Sequence, residues 1–446
     1  MATQAASIDV LLGIDFGTRY TKVAAYLPHL EERVVLTFGR KLGPFIPSGV
    51  VLAADDRVYP VDVQPTVPIA VWIDNLKMRL ADPASDVFGT GNTISGTRLK
   101  DSIRCLCAMF LSGVLRQAQA AVRRIFARSL APDVPIHWFA NVGVPAQFFD
   151  SAALSAFQEV ASVAWTWSER EPRAASVAEL IADYTRTATS LGPREMPIRV
   201  VPELAAALAH FGEHRNTMPG LYGFFDIGGG TLDGTVFRVD RGANGVLFDV
   251  LSAEVDELGT MAIARRSAAQ IFQDMNEFIE KPIIFGGAKP TAEVPIPEDV
   301  EPSIQAFFSR VIDAARQKMP GQNFATQPAA PKLLRAGRKR SGRMPVIPIF
   351  VAGGGCQSEW YLDVLGRAHQ TFDHTAWGVG GYQIGLIPPP SGMKTNEYPR
   401  FVVAIGLTSP RVHSDDYRLP RGALMPFRLP AASLGQLGLE ATTDRA

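Results

Sequence analysis

The chain has little with which to build a disulfide framework or a metal cage. Its 446 residues hold three cysteines and seven histidines, and neither set shows ligand spacing. Cys105 and Cys107 stand two residues apart in a segment of helical period, so their side chains point to different faces and read as core thiols. The histidines are scattered and support no Ser-His-Asp order; His137, beside Trp138 on a predicted strand, reads as packing. A reducing, cytoplasmic compartment is therefore expected. Net charge is missing as well. The 44 basic and 44 acidic residues cancel, which removes any global attraction to nucleic acid or to an anionic membrane. No apolar run reaches the ~18 residues that span a bilayer, and Met1 to Ser7 lack the basic flank and apolar core of a signal peptide. No G-x-x-x-x-G-K-[ST] run occurs, which excludes a P-loop.

What the chain does have is glycine placed after strands. Phe225-Asp226-Ile227-Gly228-Gly229-Gly230-Thr231-Leu232-Asp233 follows an apolar segment and runs into the alternating Gly234 to Val239. By period this is strand, tight turn, strand. Consecutive glycines let the backbone take positive φ and turn its amides toward an anion. Asp226 and Asp233 flank the turn and Thr231 adds a hydroxyl, so a phosphate cradle beside carboxylates calls for a divalent cation between them. The plan recurs near the N-terminus, where Val10 to Thr18 is apolar strand, Asp15, Gly17 and a hydroxyl, followed by the alternating Tyr20 to Tyr26. Two such units imply a duplicated fold with phosphate held between its halves. A strand follows each turn rather than a helix, which also excludes the dinucleotide-binding fingerprint.

With 47% hydrophobic residues, the length allows two or three domains of roughly 100–200 residues. Strands are predicted from Val34 to Phe38, Val50 to Leu52, Ile136 to Val144 and Ile198 to Val201. Asp74 to Leu80 begins a helical or mixed region, and helical periods run from about Arg98 to Leu130, from Ser151 to Trp165 and from Leu204 to His210. In the second half, Leu247 to Glu254 reads as a strand and Thr260 to Ile279 as a helix. Glu280 to Arg343 carries scattered prolines and a basic run from Lys332 to Arg343, read as a solvated loop. Ile347 to Gly355 is a third strand ending in glycines. Tyr398 to Leu407 is a short helix or strand on the same core, and the chain beyond Arg411 reads as a tail.

With three glycine-ended strands in view, the sequence resembles the actin-like ATPase superfamily, and within it the DnaK (heat-shock 70 kDa) chaperones. Gly13-Ile14-Asp15-Phe16-Gly17-Thr18 looks like that family's first phosphate motif, and Asp226 to Asp233 like its second. Val144-Pro145-Ala146-Gln147-Phe148-Phe149-Asp150 is similar to its V-P-A-x-F-x-D segment. Pro202-Glu203-Leu204-Ala205-Ala206-Ala207-Leu208-Ala209 is similar to its E-P-x-A-A-A-L-A hinge segment, with Pro and Glu exchanged. Val351-Ala352-Gly353-Gly354-Gly355 looks like its adenosine motif. The matches fall in the family's order over about residues 8 to 410.

The resemblance implies an α/β, actin-like ATPase fold: two ribonuclease-H-like lobes closing an interlobe cleft over Mg2+ with ATP or ADP. Lobe I would cover residues 1–220 with an inserted subdomain at about 46–99. Lobe II would cover 221–410 with an insert at about 263–344, leaving a tail at 411–446. It also implies roles. Asp15 and Asp226 would hold waters of the Mg2+ shell. Gly17, Thr18, Arg19 and Tyr20 would line the phosphates from one side, and Gly228, Gly229, Gly230, Thr231 and Asp233 from the other. Gly353, Gly354, Gly355 and Gln357 would face the adenosine. Glu203 would orient metal-bound water, Thr231 would contact the γ-phosphate, and Lys77 would position the attacking water.

Three positions depart from the family pattern. Arg19 replaces a second hydroxyl, and either adds charge to the cradle or points away. Gln357 replaces a base-stacking arginine. Lys22, seven residues after Asp15, has the spacing of a phosphate-contacting lysine in actins; otherwise it is an exposed strand residue. After Leu407 about forty residues remain, too few for the family's peptide-binding module. The expectation is an ATP-binding, Mg2+-dependent ATPase that acts as a nucleotide-driven switch on another protein, whether client, co-chaperone or effector. The arginines beyond Leu407 are one candidate contact surface. An actin-like polymerising ATPase, a sugar or carboxylate kinase and a non-hydrolysing scaffold stay open as alternatives.

Overall fold

Alternating and fully apolar runs pair into two sheets built on one plan. The computed structural model describes residues 7–39, 43–81, 93–94, 97–130, 134–145, 152–191, 196–213, 219–242, 245–260, 262–263, 266, 296–318, 347–368, 382–387, 389, 397–409, 412 and 417–418. The first sheet contains β1 (Ile8–Asp15), β2 (Tyr20–Leu27), β3 (Glu32–Val35), β4 (Ile136–Val144) and β5 (Ile198–Pro202), in the order β5-β4-β1-β2-β3. The second contains β6 (Gly220–Ile227), β7 (Leu232–Gly242), β8 (Gly245–Asp256), β9 (Ile347–Ala352) and β10 (Tyr382–Leu386), in the order β10-β9-β6-β7-β8. A two-residue strand, Tyr417–Arg418, lies beyond β8. In both sheets three strands form an antiparallel meander and the last two lie parallel beside the first.

Parallel neighbours need crossovers, and helices supply them. α1 (Leu76–Ala81) and α2 (Leu99–Ile125) precede β4, and α3 (Ala152–Ser168) and α4 (Val177–Leu191) precede β5. α5 (Glu203–Glu213) joins the two sheets. α6 (Val300–Gln317) precedes β9, α7 (Glu359–Ala368) precedes β10, and α8 (Val402–Gly406) follows the second sheet. The protein is thus a mixed α/β molecule. A smaller three-stranded sheet (Val50–Ala53, Val58–Tyr59, Ile69–Ile73) lies between β3 and α1.

One core forms where α2 and α3 meet the first sheet. Val10, Leu12 and Ile14 are fully buried, and Phe110 of α2 stacks on Phe16 at 5.6 Å. By length and composition α2 could cross a membrane, but 78% of its most apolar window is buried within the protein. On the second sheet α6 plays the matching part. Its Ile304, Phe307, Phe308, Val311 and Ile312 are buried at helical spacing, and Phe308 stacks on Phe225 of β6 at 5.1 Å. This helix lies in the stretch expected to be irregular. Among the prolines that suggested a loop, Pro302 sits in the first turn, where a missing N–H breaks no intrahelical bond.

α5 and α8 pack together between the sheets. Leu204, Leu208 and Phe211 of α5 share a buried cluster with Val402 and Ile405 of α8, Tyr222 of β6 and Phe350 of β9. A Cβ on Gly406 would overlap the Ala206 carbonyl, and one on Gly13 of β1 would overlap the Ala404 carbonyl. The Tyr398 to Leu407 segment, expected on the second core, therefore also seals the first sheet. The helix expected from Thr260 to Ile279 falls largely outside the described residues. So do Ala146 to Asp150, the basic run from Lys332 to Arg343, and the tail apart from Val412, Tyr417 and Arg418.

Candidate functional site

β1 and β6 hold the same place in their sheets, and each ends in a carboxylate, Asp15 and Asp226. Each carboxylate faces a cross-strand partner: Lys22 on β2 opposite Asp15, and Asp233 on β7 opposite Asp226. The first pair is an ion pair, with Lys22 Nζ donating to Asp15 Oδ2 at 2.5 Å. The Lys22 side chain is 16% exposed, which rules out the solvated strand lysine. The second pair sets two carboxylates side by side, and Thr231 Oγ1 donates to Asp233 Oδ2 at 2.8 Å. A third pair joins Lys77 of α1 to Glu203 at the start of α5, again at 2.5 Å. Asn75, with φ 54°, turns the chain into α1 through a left-handed residue that Asn tolerates, and Lys77 is 5% exposed.

The glycine turns are organised by their hydrogen bonds. Gly17 N–H donates to Asp15 O and Gly228 N–H to Thr231 O, both at 2.9 Å, so these two amides close the turns. Behind the second turn, Thr260, Ala262 and Gly259 amides donate to the Gly228, Gly229 and Gly230 carbonyls at 3.0, 3.2 and 3.3 Å. In a planar trans peptide the N–H points opposite to its carbonyl. Tying back these three carbonyls therefore aims the Gly229, Gly230 and Thr231 amides forward. Among the described residues these amides and that of Thr18 have no acceptor, and such a nest suits an anion. The two turns touch, since a Cβ on Gly230 would lie 3.0 Å from Thr18 Cγ2. Gly259 carries no motif in the sequence and Thr260 only opens an expected helix, although a Gly-Thr pair after a strand repeats the pattern of Gly17-Thr18.

The third glycine turn is fastened to the second. Gly353 has φ +84° and leaves no room for a Cβ beside the Asp226 carboxylate and Ile227 carbonyl, so only glycine fits. Its N–H donates to Pro399 O at 3.0 Å. Gly355 packs on Ile227, while Gly354 and Gln357 are exposed. Arg19 lies over the Tyr20 ring at 5.3 Å, and Tyr20 packs on Phe45 at 5.8 Å.

Among the described residues, Lys22 and Lys77 are the cations felt most strongly by Glu203, Asp226 and Asp233, and they pair with Asp15 and Glu203. Burial pushes Asp226 up to about 7; Lys22 opposes the shift, while Asp15 and Glu203 add to it. Burial, with Asp226 and Glu203, pushes Asp233 up to about 7 as well. Burial also raises Glu203 in spite of Lys77. Burial disfavours the Lys77 charge, but Glu203 and Asp15 outweigh it and hold the lysine protonated. The excess of buried negative charge is what a divalent cation would cancel. Among the described residues no three His, Cys, Asp or Glu side chains are grouped to grip a metal directly. Magnesium held through its own waters needs no such cage. A cleft lined by Glu203, Asp226, Asp233, Glu254 and Val403 opens beside these groups; Glu254 carries no motif in the sequence. Comparison with protein-family models and with curated protein sequences gives no match.

Proposed function

We propose that the protein binds ATP with Mg2+ between its two sheets and hydrolyses it, as a DnaK-like switch with two ribonuclease-H-like lobes of the actin-like ATPase type. One observation carries the proposal. Two equivalent strand ends, Asp15 and Asp226, lie at touching glycine turns whose amides, without acceptors among the described residues, sit beside two lysines and an excess of carboxylates. The shared strand order of the two sheets supports the duplicated lobes. Three free, buried thiols fit a reducing cytoplasm, and the switch would act on a second protein.

The amides of Thr18, Gly229, Gly230 and Thr231 would bind phosphoryl oxygens, and Asp15 and Asp226 would hold Mg2+ through its waters. Bound Mg2+ supplies charge neutralisation at the phosphates. Lys77, kept protonated, stabilises charge that develops on the γ-phosphoryl group as water attacks in line. It occupies Glu203 Oε1, which leaves Oε2 to orient water. Position and charge do the work, without a covalent intermediate on the protein.

The test is phosphate release from ATP by the pure protein, with and without Mg2+, beside Asp226→Ala and Lys77→Ala. Wild type should turn over only with Mg2+ and Asp226→Ala should be inactive. Lys77→Ala should keep ATP binding and lose at least about tenfold in turnover, since one charge-stabilising donor is worth ~3–4 kcal/mol of barrier. A wild type that neither turns over ATP nor gains thermal stability from it overturns the proposal. Stabilisation without turnover would leave a binding scaffold. ATP-dependent pelleting would mark a polymer, and phosphate transfer that requires an added acceptor would mark a kinase.

A further inference from the structure

Arg400 carries a half-buried guanidinium with no carboxylate beside it among the described residues. Among the described residues its side chain has one partner, the face of Phe45, 3.9 Å from the guanidinium carbon. Phe45 stacks in turn on Phe401 at 5.5 Å and meets Tyr20 at 5.8 Å. Tyr20 follows the first glycine turn. Pro399, the residue before Arg400, accepts the Gly353 N–H of the third turn, and the Arg400 charge is felt at Cys356 of that turn. Arg400 thus stands where the first and third turns meet. Lys22 and Lys77, rather than Arg400, are the cations that chiefly set the ionisation of Asp226, Asp233 and Glu203, so Arg400 stands apart from the carboxylate cluster. Burial pulls its pKa down, with Cys356 and Tyr20 pulling back. Its five N–H donors face desolvation with no acceptor supplied by the described residues.

We propose that Arg400 is the specificity-determining contact for the nucleoside end of the nucleotide, held by Phe45 so that its second face stacks on the base while its edge donates to base or ribose oxygens. This rests on the nucleotide-binding function proposed above. Among the described residues no second ring lies on the guanidinium, and a planar, electron-rich base would complete the column Phe401–Phe45–Arg400. A phosphate would meet the donors along the edge of the guanidinium but could not stack on its face.

The experiment separates the two ends of the ligand. Affinities for Mg-ATP and for Mg-tripolyphosphate, which has phosphates but no nucleoside, are measured for wild type, Arg400→Ala and Arg400→Lys. Both variants should lose about tenfold for ATP, lysine included because it lacks the plane, and stay within about twofold for tripolyphosphate. Equal losses for the two ligands, or an unchanged ATP affinity, overturn the proposal. A wild type that binds neither ligand removes the nucleotide site itself, a different and distinguishable failure, and this proposal with it. Should the variants not fold, the wild type provides a second measurement. Labelling of Arg400 by phenylglyoxal, read by peptide mass spectrometry, should be slowed roughly fivefold by saturating ATP and left unchanged by tripolyphosphate. Labelling indifferent to ATP, or slowed as much by tripolyphosphate, would sink the assignment.

Discussion

Asp226 and Asp233 face one another in register across β6 and β7, where like charges destabilise a strand pair. The matching position in the first sheet holds Asp15 opposite Lys22, an opposite-charge pair where the second sheet has a like-charge one. Both acids are pushed up to about 7 in the folded protein, against an ordinary value near ~4 in the unfolded chain. Between those values folding takes up protons. The sign follows: without metal, their contribution to stability is greatest at low pH and falls as pH rises to about 7. Asp233→Asn removes one partner of the pair. The metal-free variant should melt about 2–4 °C above wild type near pH 8 and depend less on pH down to about pH 5. A variant melting curve with the wild-type pH dependence would show that the two carboxyls do not titrate together. Added Mg2+ should narrow the gap at pH 8 by neutralising the wild-type pair.

At the level of elements, the joint between α5 and α8 depends on a missing side chain. Gly406 lies against the Ala206 carbonyl, a backbone atom that cannot swing aside. Gly406→Ala should therefore cost about 1–3 kcal/mol, as overpacking does, read as a lowered urea midpoint. Gly354→Ala, with none of the described residues within 4 Å of the new methyl, should stay within about 0.5 kcal/mol. Equal midpoints for the two variants would mean that the joint yields. This joint was half legible in the sequence. The Ala-rich helix after Glu203 was plain, but nothing local says that α8 crosses back to the first sheet. β4 was legible to the residue, because a mostly apolar run, Ile136 to Val144, is ended by Pro145. α4 was not recognised, although Ser176 and Glu179 form its capping box, with Ser176 N–H donating to Glu179 Oε2 at 2.8 Å. In the site, Asp15, Asp226 and the glycines were legible from duplication. Glu254 was not, since it reaches the cleft only through the packing of distant strands, and Arg400 was not, since only the packing of Phe45 and Pro399 brings it near the first and third turns.

For the whole molecule, the two sheets are joined through α5 and α8, and the candidate ligand site lies at their seam. Thr18 and Gly230 touch across that seam. A triphosphate bound by the amides of both turns has to share the space between them, so binding should change the angle between the sheets about α5 and α8. Only a ligand with different affinities for two arrangements shifts their balance, and one gripped by both Asp15 and Asp226 meets that condition. The three native cysteines are buried, so spin labels attach selectively to cysteines introduced at Arg186 on α4 and Asp363 on α7, which are 74% and 65% exposed. The distance between these labels should move by a few ångströms, on the order of a hinge or shear step, when Mg-ATP is added. Asp226→Ala should show no such movement, because its second half no longer holds the metal. A label distance that stays fixed in wild type while ATP binds would mean that the seam is rigid, and that any signal to a second protein leaves the site by another route.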